Sequence, residues 1–343
     1  MAEEVWMLQT KKADFKQIGA RFRIDPVTAR IIRNRGIEGE AAIDRYLNGT
    51  LDDLYDPMLL KDMERAVSIL CEAVDTGKKI RIVGDYDIDG VCSTYILLQA
   101  FERLGSDVDF EIPDRIKDGY GINESIIEQA HADGVEVILT CDNGISAFHQ
   151  VELAKKYGMT VVITDHHEVP LDGEKEKIPP ADAVIDPKQA DCPYPFPEIC
   201  GAVVAYKLVQ VLYARRGVPQ MEWLDLLEFA AIATVGDVMK LQDENRILVK
   251  YGLKKMAQTK NLGLRRLAEK NNLDLGAITA YHIGFVIGPC LNAGGRLKTA
   301  KEALALLRAQ SEEEAERLAE ELKELNDTRK DMTEQGTCLL YTS

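Results

Sequence analysis

The chain has 343 residues, 46% hydrophobic and 29% charged, enough to bury a large core in about two or three domains. Its net charge of −15 weighs against a broad basic surface for nucleic acid, yet suits hard divalent cations, whose bound charge reverses the local potential. No long apolar run and no basic-then-apolar leader occur, which excludes an ordinary membrane span or signal peptide, and the seven scattered cysteines lack a C-x-x-C pair, so reduced thiols and a cytoplasmic, non-membrane protein are expected.

Segment 1–76 reads as helical and polar, with apolar residues at helical spacing from Pro57 to Leu70, and as a supporting lid. From Lys79 onward, short β-branched runs (Ile80–Val83, Val108–Ile112, Val135–Thr140, Thr160–Ile163, Ala183–Ile185) alternate with helical stretches (Val91–Leu104, Glu124–Ala132, Ala147–Tyr157). That alternation predicts an α/β core over 77–240, a parallel β-sheet flanked by helices, with its ligand site beyond the carboxyl ends of the strands. A Pro-rich loop, Asp186–Pro197, precedes helical patterns at Cys200–Arg216 and Met221–Thr234 and a helical extension over 241–310. Residues 311–335, dense in Glu, Lys, Arg and Leu, predict one long solvated helix acting as a linker, and the tail 336–343 breaks that pattern and is of doubtful origin.

The chemistry begins directly after the first strand, at Asp85-x-Asp87-x-Asp89-Gly90. Three carboxylates this close repel, and a bound cation relieves the repulsion. A calcium loop or a solvated acidic turn is the plain alternative. An apolar strand instead of a helix precedes the run, and Ile96 stands where a calcium loop needs a bidentate Glu. The third strand ends in Asp142-Asn143-Gly144 and the fourth in Asp165-His166-His167, so three strands finish in candidate ligands. Adjacent strand ends lie about 5 Å apart, close enough to share a metal pair, and oxygen and imidazole donors suit Mn²⁺ or Mg²⁺.

On these residues the sequence resembles the DHH phosphoesterase superfamily: Gly84–Gly90, Asp142-Asn143-Gly144 and Asp165-His166-His167 match its first three motifs. Ile112–Gly121, Ala233–Val238 with Glu244-Asn245-Arg246, and Gly288–Leu297 are similar to the RecJ branch, the bacterial single-strand-specific 5′→3′ DNA exonucleases. The resemblance runs from about residue 5 to 335. It implies a DHH core with additional N-terminal and C-terminal helical segments, and two Mn²⁺ or Mg²⁺ ions per site held by Asp87, Asp89, Asp142, His166 and Asp237. Asp85 and Asp165 would orient ligands, and His167 would stabilise charge or donate a proton at the scissile phosphate. Arg115, Lys117, Asn292 and Arg296 would contact the strand; their plain alternatives are a solvated turn and a helix-linking loop.

The implied reaction is hydrolysis of single-stranded DNA to 5′-mononucleotides in repair and recombination, by a monomer with single-strand-binding protein and helicase as candidate partners. Cys290 stands where the family commonly has Arg. RecJ-type proteins also continue into a second domain, so the chain reads as a C-terminally truncated catalytic core. Two rivals are a DHH phosphodiesterase of short oligonucleotides or cyclic dinucleotides, opposed by the Ile112–Gly121 and Gly288–Leu297 stretches, and a non-catalytic nucleic-acid scaffold, which should have lost ligands retained here.

Overall fold

The computed structural model describes residues 11–115, 119 and 121–342, with side chains as far as 337. Three short helices, α1 (Phe15–Phe22), α2 (Pro26–Asn34) and α3 (Glu40–Asn48), pack around Ile32, Ile37, Ile43 and Tyr46, and α4 (Met63–Asp75) leads into the sheet. The core alternates β1 (Ile80–Val83), α5 (Ile88–Arg103), β2 (Val108–Glu111), α6 (Glu124–Ala132), β3 (Val137–Cys141), α7 (Phe148–Lys156) and β4 (Thr160–Thr164). A two-residue-per-strand hairpin, β5 (Leu171–Asp172) and β6 (Lys175–Glu176), precedes β7 (Ala183–Ile185).

The five long strands are all parallel, in the order β2-β1-β3-β4-β7. The period of two along each strand divides their side chains between the two faces. Ile80, Ile82, Val137, Leu139, Cys141, Val162 and Ile185 face one core, with α4 and α5. Val83, Ile138, Val161, Ile163 and Val184 face the other, with α6 and α7. The chain moves outward from β1 in both directions, so the topological switch lies between β1 and β3, and that is where a site is expected.

A helical layer completes the structure: α8 (Gly201–Arg215), α9 (Gln220–Leu224), α10 (Leu227–Gly236), α11 (Asp243–Met256), α12 (Leu262–Lys270), α13 (Ala280–His282), a π-turn at Ile283–Ile287, α14 (Gly288–Leu297), α15 (Lys301–Arg308) and α16 (Glu312–Thr342). Two expectations are corrected. The helix after β1 starts at Ile88 and not at Val91, because Asp87 caps it, accepting from the Asp89 and Gly90 amides at 2.9 and 3.1 Å. The long helix also runs through Gly336 to Thr342, past the expected break. None of the described helices is long and apolar enough to cross a membrane. Six described cysteines are free thiols.

Candidate metal centre

The acidic run straddles a strand end and a helix start, which splits its three carboxylates between two elements. Asp85 leaves β1, Asp87 caps α5, and Asp89 sits in the first turn of α5, buried. Asp89 faces the start of α8, whose Gly201 and Ala202 amides each donate to it at 2.7 Å. A helix N-terminus thus fixes both of its oxygens. Gly90 is required here: a Cβ would fall 2.3 Å from the Asp85 carbonyl oxygen.

The ends of β3 and β4 supply the other wall. Asp142 adopts a left-handed backbone with φ of 60°, a sparsely populated conformation held in place by Asn143. The Asn143 amide donates to the carbonyls of Val83 at 3.0 Å and Cys141 at 2.9 Å, and its Oδ1 accepts from Ile122 N–H, tying β1, β3 and the loop after β2 together. His166 Nε2 lies 3.0 Å from Asp142 Oδ1, 3.4 Å from Asp89 Oδ2 and 3.9 Å from Asp237 Oδ2. Asp237, the residue that closes α10, therefore reaches the same point from the helical layer. Three overlapping groups bring ligand atoms within 4.8 Å of one another: Asp85, Asp87 and Asp142; Asp89, His166 and Asp237; and Asp142, His166 and His167. Asp142 and His166 each belong to two groups, as expected where two neighbouring ions share ligands.

The electrostatics describe a cluster short of positive charge. Burial and then the charge of Asp87 push the Asp85 carboxyl up to about 7, and burial with Asp89 and Asp87 does the same to Asp237. Burial and Asp89 raise Asp87, and burial with the surrounding aspartates raises Asp142 well above the usual range. Asp165 differs. Burial raises it, but its hydrogen bond to His167, that residue's charge and the Ile145 amide outweigh burial and hold it low. In turn His167, whose Nδ1 is 2.7 Å from Asp165 Oδ1, overcomes its burial and rises to about 8. The Asp165 carboxylate also accepts from the His166 backbone amide, so it fixes the His167 imidazole and the turn that carries both histidines.

The strand-contact candidates converge only in part. Arg115, Asn292 and Arg296 line a cavity of about 280 Å³ together with Asp85, Tyr86 and Asp87, and Arg115 lies over the Tyr86 ring at 5.2 Å. Lys117 lies outside the described residues. Arg296 and Asn292 also line an adjoining cavity with Arg329 of α16, and burial followed by Arg329 and Arg115 lowers the Arg296 pKa, a mark of concentrated positive charge. Cys290 is buried against Asn271 and Asn326, away from these cavities.

Three further residues beside the site were not among those the sequence singled out. Gly201 touches Asp142; Arg329 comes from a helix that reads as solvated; and Asp186, buried after β7, keeps one oxygen without a partner and is pushed up to about 7 by burial and Asp165. Only the last could be found beforehand, as one more strand ending in Asp.

Residues 79–234 match the family described as DHH family, N-terminal domain. The chain is 37% identical over 333 residues to the single-stranded-DNA-specific exonuclease RecJ of Bacillus subtilis (strain 168), covering 97% of this chain and 41% of that protein. A crystal structure of exonuclease RecJ bound to manganese superposes with a TM-score of 0.73 at 35% identity, over 80% of this chain and 68% of that one. The RecJ of Thermus thermophilus in complex with Mn²⁺ gives a TM-score of 0.78 at 31% identity, over 94% and 45% of the two chains. This chain spans between 41% and 55% of the length of its curated RecJ relatives from bacteria.

Proposed function

The chain belongs to the RecJ branch of the DHH family, and from that membership we propose that it is the catalytic core of a metal-dependent exonuclease hydrolysing single-stranded DNA from the 5′ end to 5′-mononucleotides. The observation that carries this reading is the convergence of Asp89, Asp142, His166 and Asp237 from three layers of the fold on one point. Carboxylates buried this close together repel one another, and a divalent cation relieves that repulsion. The donors are oxygen and imidazole with no thiolate, which fits Mn²⁺ or Mg²⁺, the ions bound in the RecJ structures.

In this reading Asp87, Asp89, Asp142, His166 and Asp237 hold two ions, and Asp85 and Asp165 orient them. Bound there, the ions supply positive charge to the phosphoryl oxygens and lower the pKa of water. The chain's own residues do the rest. Asp165, 2.7 Å from Nδ1, fixes the His167 ring and favours its protonated form, so that it can face a phosphate oxygen or give a proton to the leaving group. Arg115, Asn292 and Arg296 seat the phosphates beside the carboxylates, and Lys117 belongs to the same group. The reading divides the chain as segment 1–76, core 77–240, extension 241–310 and linker helix 311–335, and keeps single-strand-binding protein and helicase as candidate partners.

Asp142→Ala and His166→Ala are expected to abolish Mn²⁺-dependent release of nucleotides from a 5′-phosphorylated single strand while the fold persists by circular dichroism. Full activity in either variant would overturn the ligand assignment.

A further inference from the structure

The N-terminal helix pair carries charge opposite to that of the whole chain. Residues 11–35 hold eight lysines and arginines against two aspartates, a local balance of +6 in a chain of net −15. Both aspartates are engaged by their own helices: Asp14 accepts from the Gln17 amide at the start of α1, and Asp25 from the Val27 and Thr28 amides at the start of α2. Among the described residues, Arg21 and Arg33 have carboxylate partners, in Glu40 and Glu38. Lys16, Arg23 and Arg30 are exposed and have none.

Among the described residues, exposed basic side chains without a carboxylate partner elsewhere, such as Arg65, Lys156 and Lys254, are scattered along the chain, and others are matched. Arg265, Arg266 and Lys270 of α12 pair with Glu312, Glu316 and Glu320 of α16, so a basic helix face is neutralised there, whereas α1 and α2 keep three unpaired cations within fifteen residues. The pair is also tied to the candidate centre. Gln242, five residues beyond Asp237, donates its side-chain amide to the Arg35 carbonyl at 2.7 Å. Five residues of chain span at most about 18 Å.

We propose that α1 and α2 form a second, non-catalytic surface that binds the phosphate backbone of the strand whose end lies in the metal centre. The proposal rests on the nuclease reading for the identity of the strand. Charge complementarity selects the occupant. The aromatic faces that base stacking would use are already covered, Phe15 by the Arg30 guanidinium at 5.0 Å and Phe22 by that of Arg21 at 6.0 Å. What remains open is positive charge, which binds backbone independently of sequence and weakens steeply with salt.

The test is the triple variant Lys16→Gln/Arg23→Gln/Arg30→Gln in the full chain, all at exposed positions. Anisotropy with a labelled strand of about 30 nucleotides in EDTA reads binding without hydrolysis, a length well beyond the ~4–16 nucleotides one strand-binding fold covers. The slope of log affinity against log salt should flatten by about 2, from three lost contacts at roughly 0.7 each. With Mn²⁺ added, KM for that strand should rise about tenfold, with kcat and the hydrolysis of a trinucleotide unchanged. An unaltered salt slope and KM would overturn the proposal, as would equal losses on the trinucleotide, or strand binding kept while binding to phosphatidylglycerol vesicles is lost. A wild-type protein that binds the strand through these residues but hydrolyses none would leave this surface standing and sink the nuclease reading instead.

Discussion

At Gly201 a Cβ would stand 2.7 Å from the Asp142 Cβ and 3.0 Å from its Oδ1, while the Gly201 amide holds Asp89. Gly201→Ala should therefore displace two proposed ligands at once and lower kcat by about 10²-fold, the scale of a 1 Å misplacement, with the Mn²⁺ concentration for half-activity raised. Unchanged turnover would contradict the geometry. Glu228 gives a prediction of a different kind. It is buried in α10, its Oε1 accepts from Thr259 at 2.7 Å, and its Oε2 has no partner. Burial raises it to about 7 from 4.5. Below the unfolded value both states are protonated and nothing is lost; as pH rises from the unfolded to the folded value the native state is progressively penalised, by about 3 kcal/mol in all above it. Glu228→Gln should raise Tm by several degrees at about pH 8 and leave it unchanged near pH 4, read by thermal unfolding at both pH values; the opposite order would refute the assignment. Asp85, Asp142 and His166 were legible in the sequence because each directly follows an apolar β-branched run, a local signal. Gly201 was not, because its role is a contact with a side chain brought from another strand, and nothing in its neighbours encodes that distance.

Among the elements, α8 links the centre to the rest of the helical layer. Its N-terminus holds Asp89, and from the same helix Lys207 makes a buried ion pair with Glu244 of α11 at 3.0 Å and donates to the Tyr55 carbonyl at 3.1 Å. Tyr194 donates to the same Glu244 carboxylate, which gives the Glu244-Asn245-Arg246 motif a structural task. Breaking a buried pair by one partner leaves an uncompensated charge, so Lys207→Met should cost about 3–5 kcal/mol in urea unfolding. The double variant Lys207→Met/Glu244→Gln should recover part of that loss, and strict additivity would argue against the pairing. The strands were legible as short β-branched runs, with β1, β3 and β4 buried on both faces as a parallel sheet requires, and the long helices by a period of 3.6 in their own residues. The β5–β6 hairpin was not, since two residues per strand carry no period. The start of α5 was misplaced by three residues because the aspartates that look like a loop are the cap and first turn of the helix.

For the molecule as a whole, composition pointed away from a nucleic-acid partner and distribution points back toward one. The net charge of −15 averages an acidic body with an N-terminal pair of balance +6 and two adjoining cavities that share Arg296, one with Arg115 and the other with Arg329. No average could reveal this, because Arg296 and Arg329 reach the Arg115 loop only through the packing of α14 and α16 against the core. The α/β class and its parallel sheet, by contrast, followed from alternation alone. The central claim is one of direction and metal dependence. Mn²⁺ should be added to two 5′-phosphorylated single strands of one sequence, one labelled in its first nucleotide and one in its last. The account predicts that the 5′ label appears as a mononucleotide from the earliest time point, that the 3′ label stays on steadily shortening strands, and that EDTA stops both. Release of the 3′ label first, or equal release in EDTA, would contradict it.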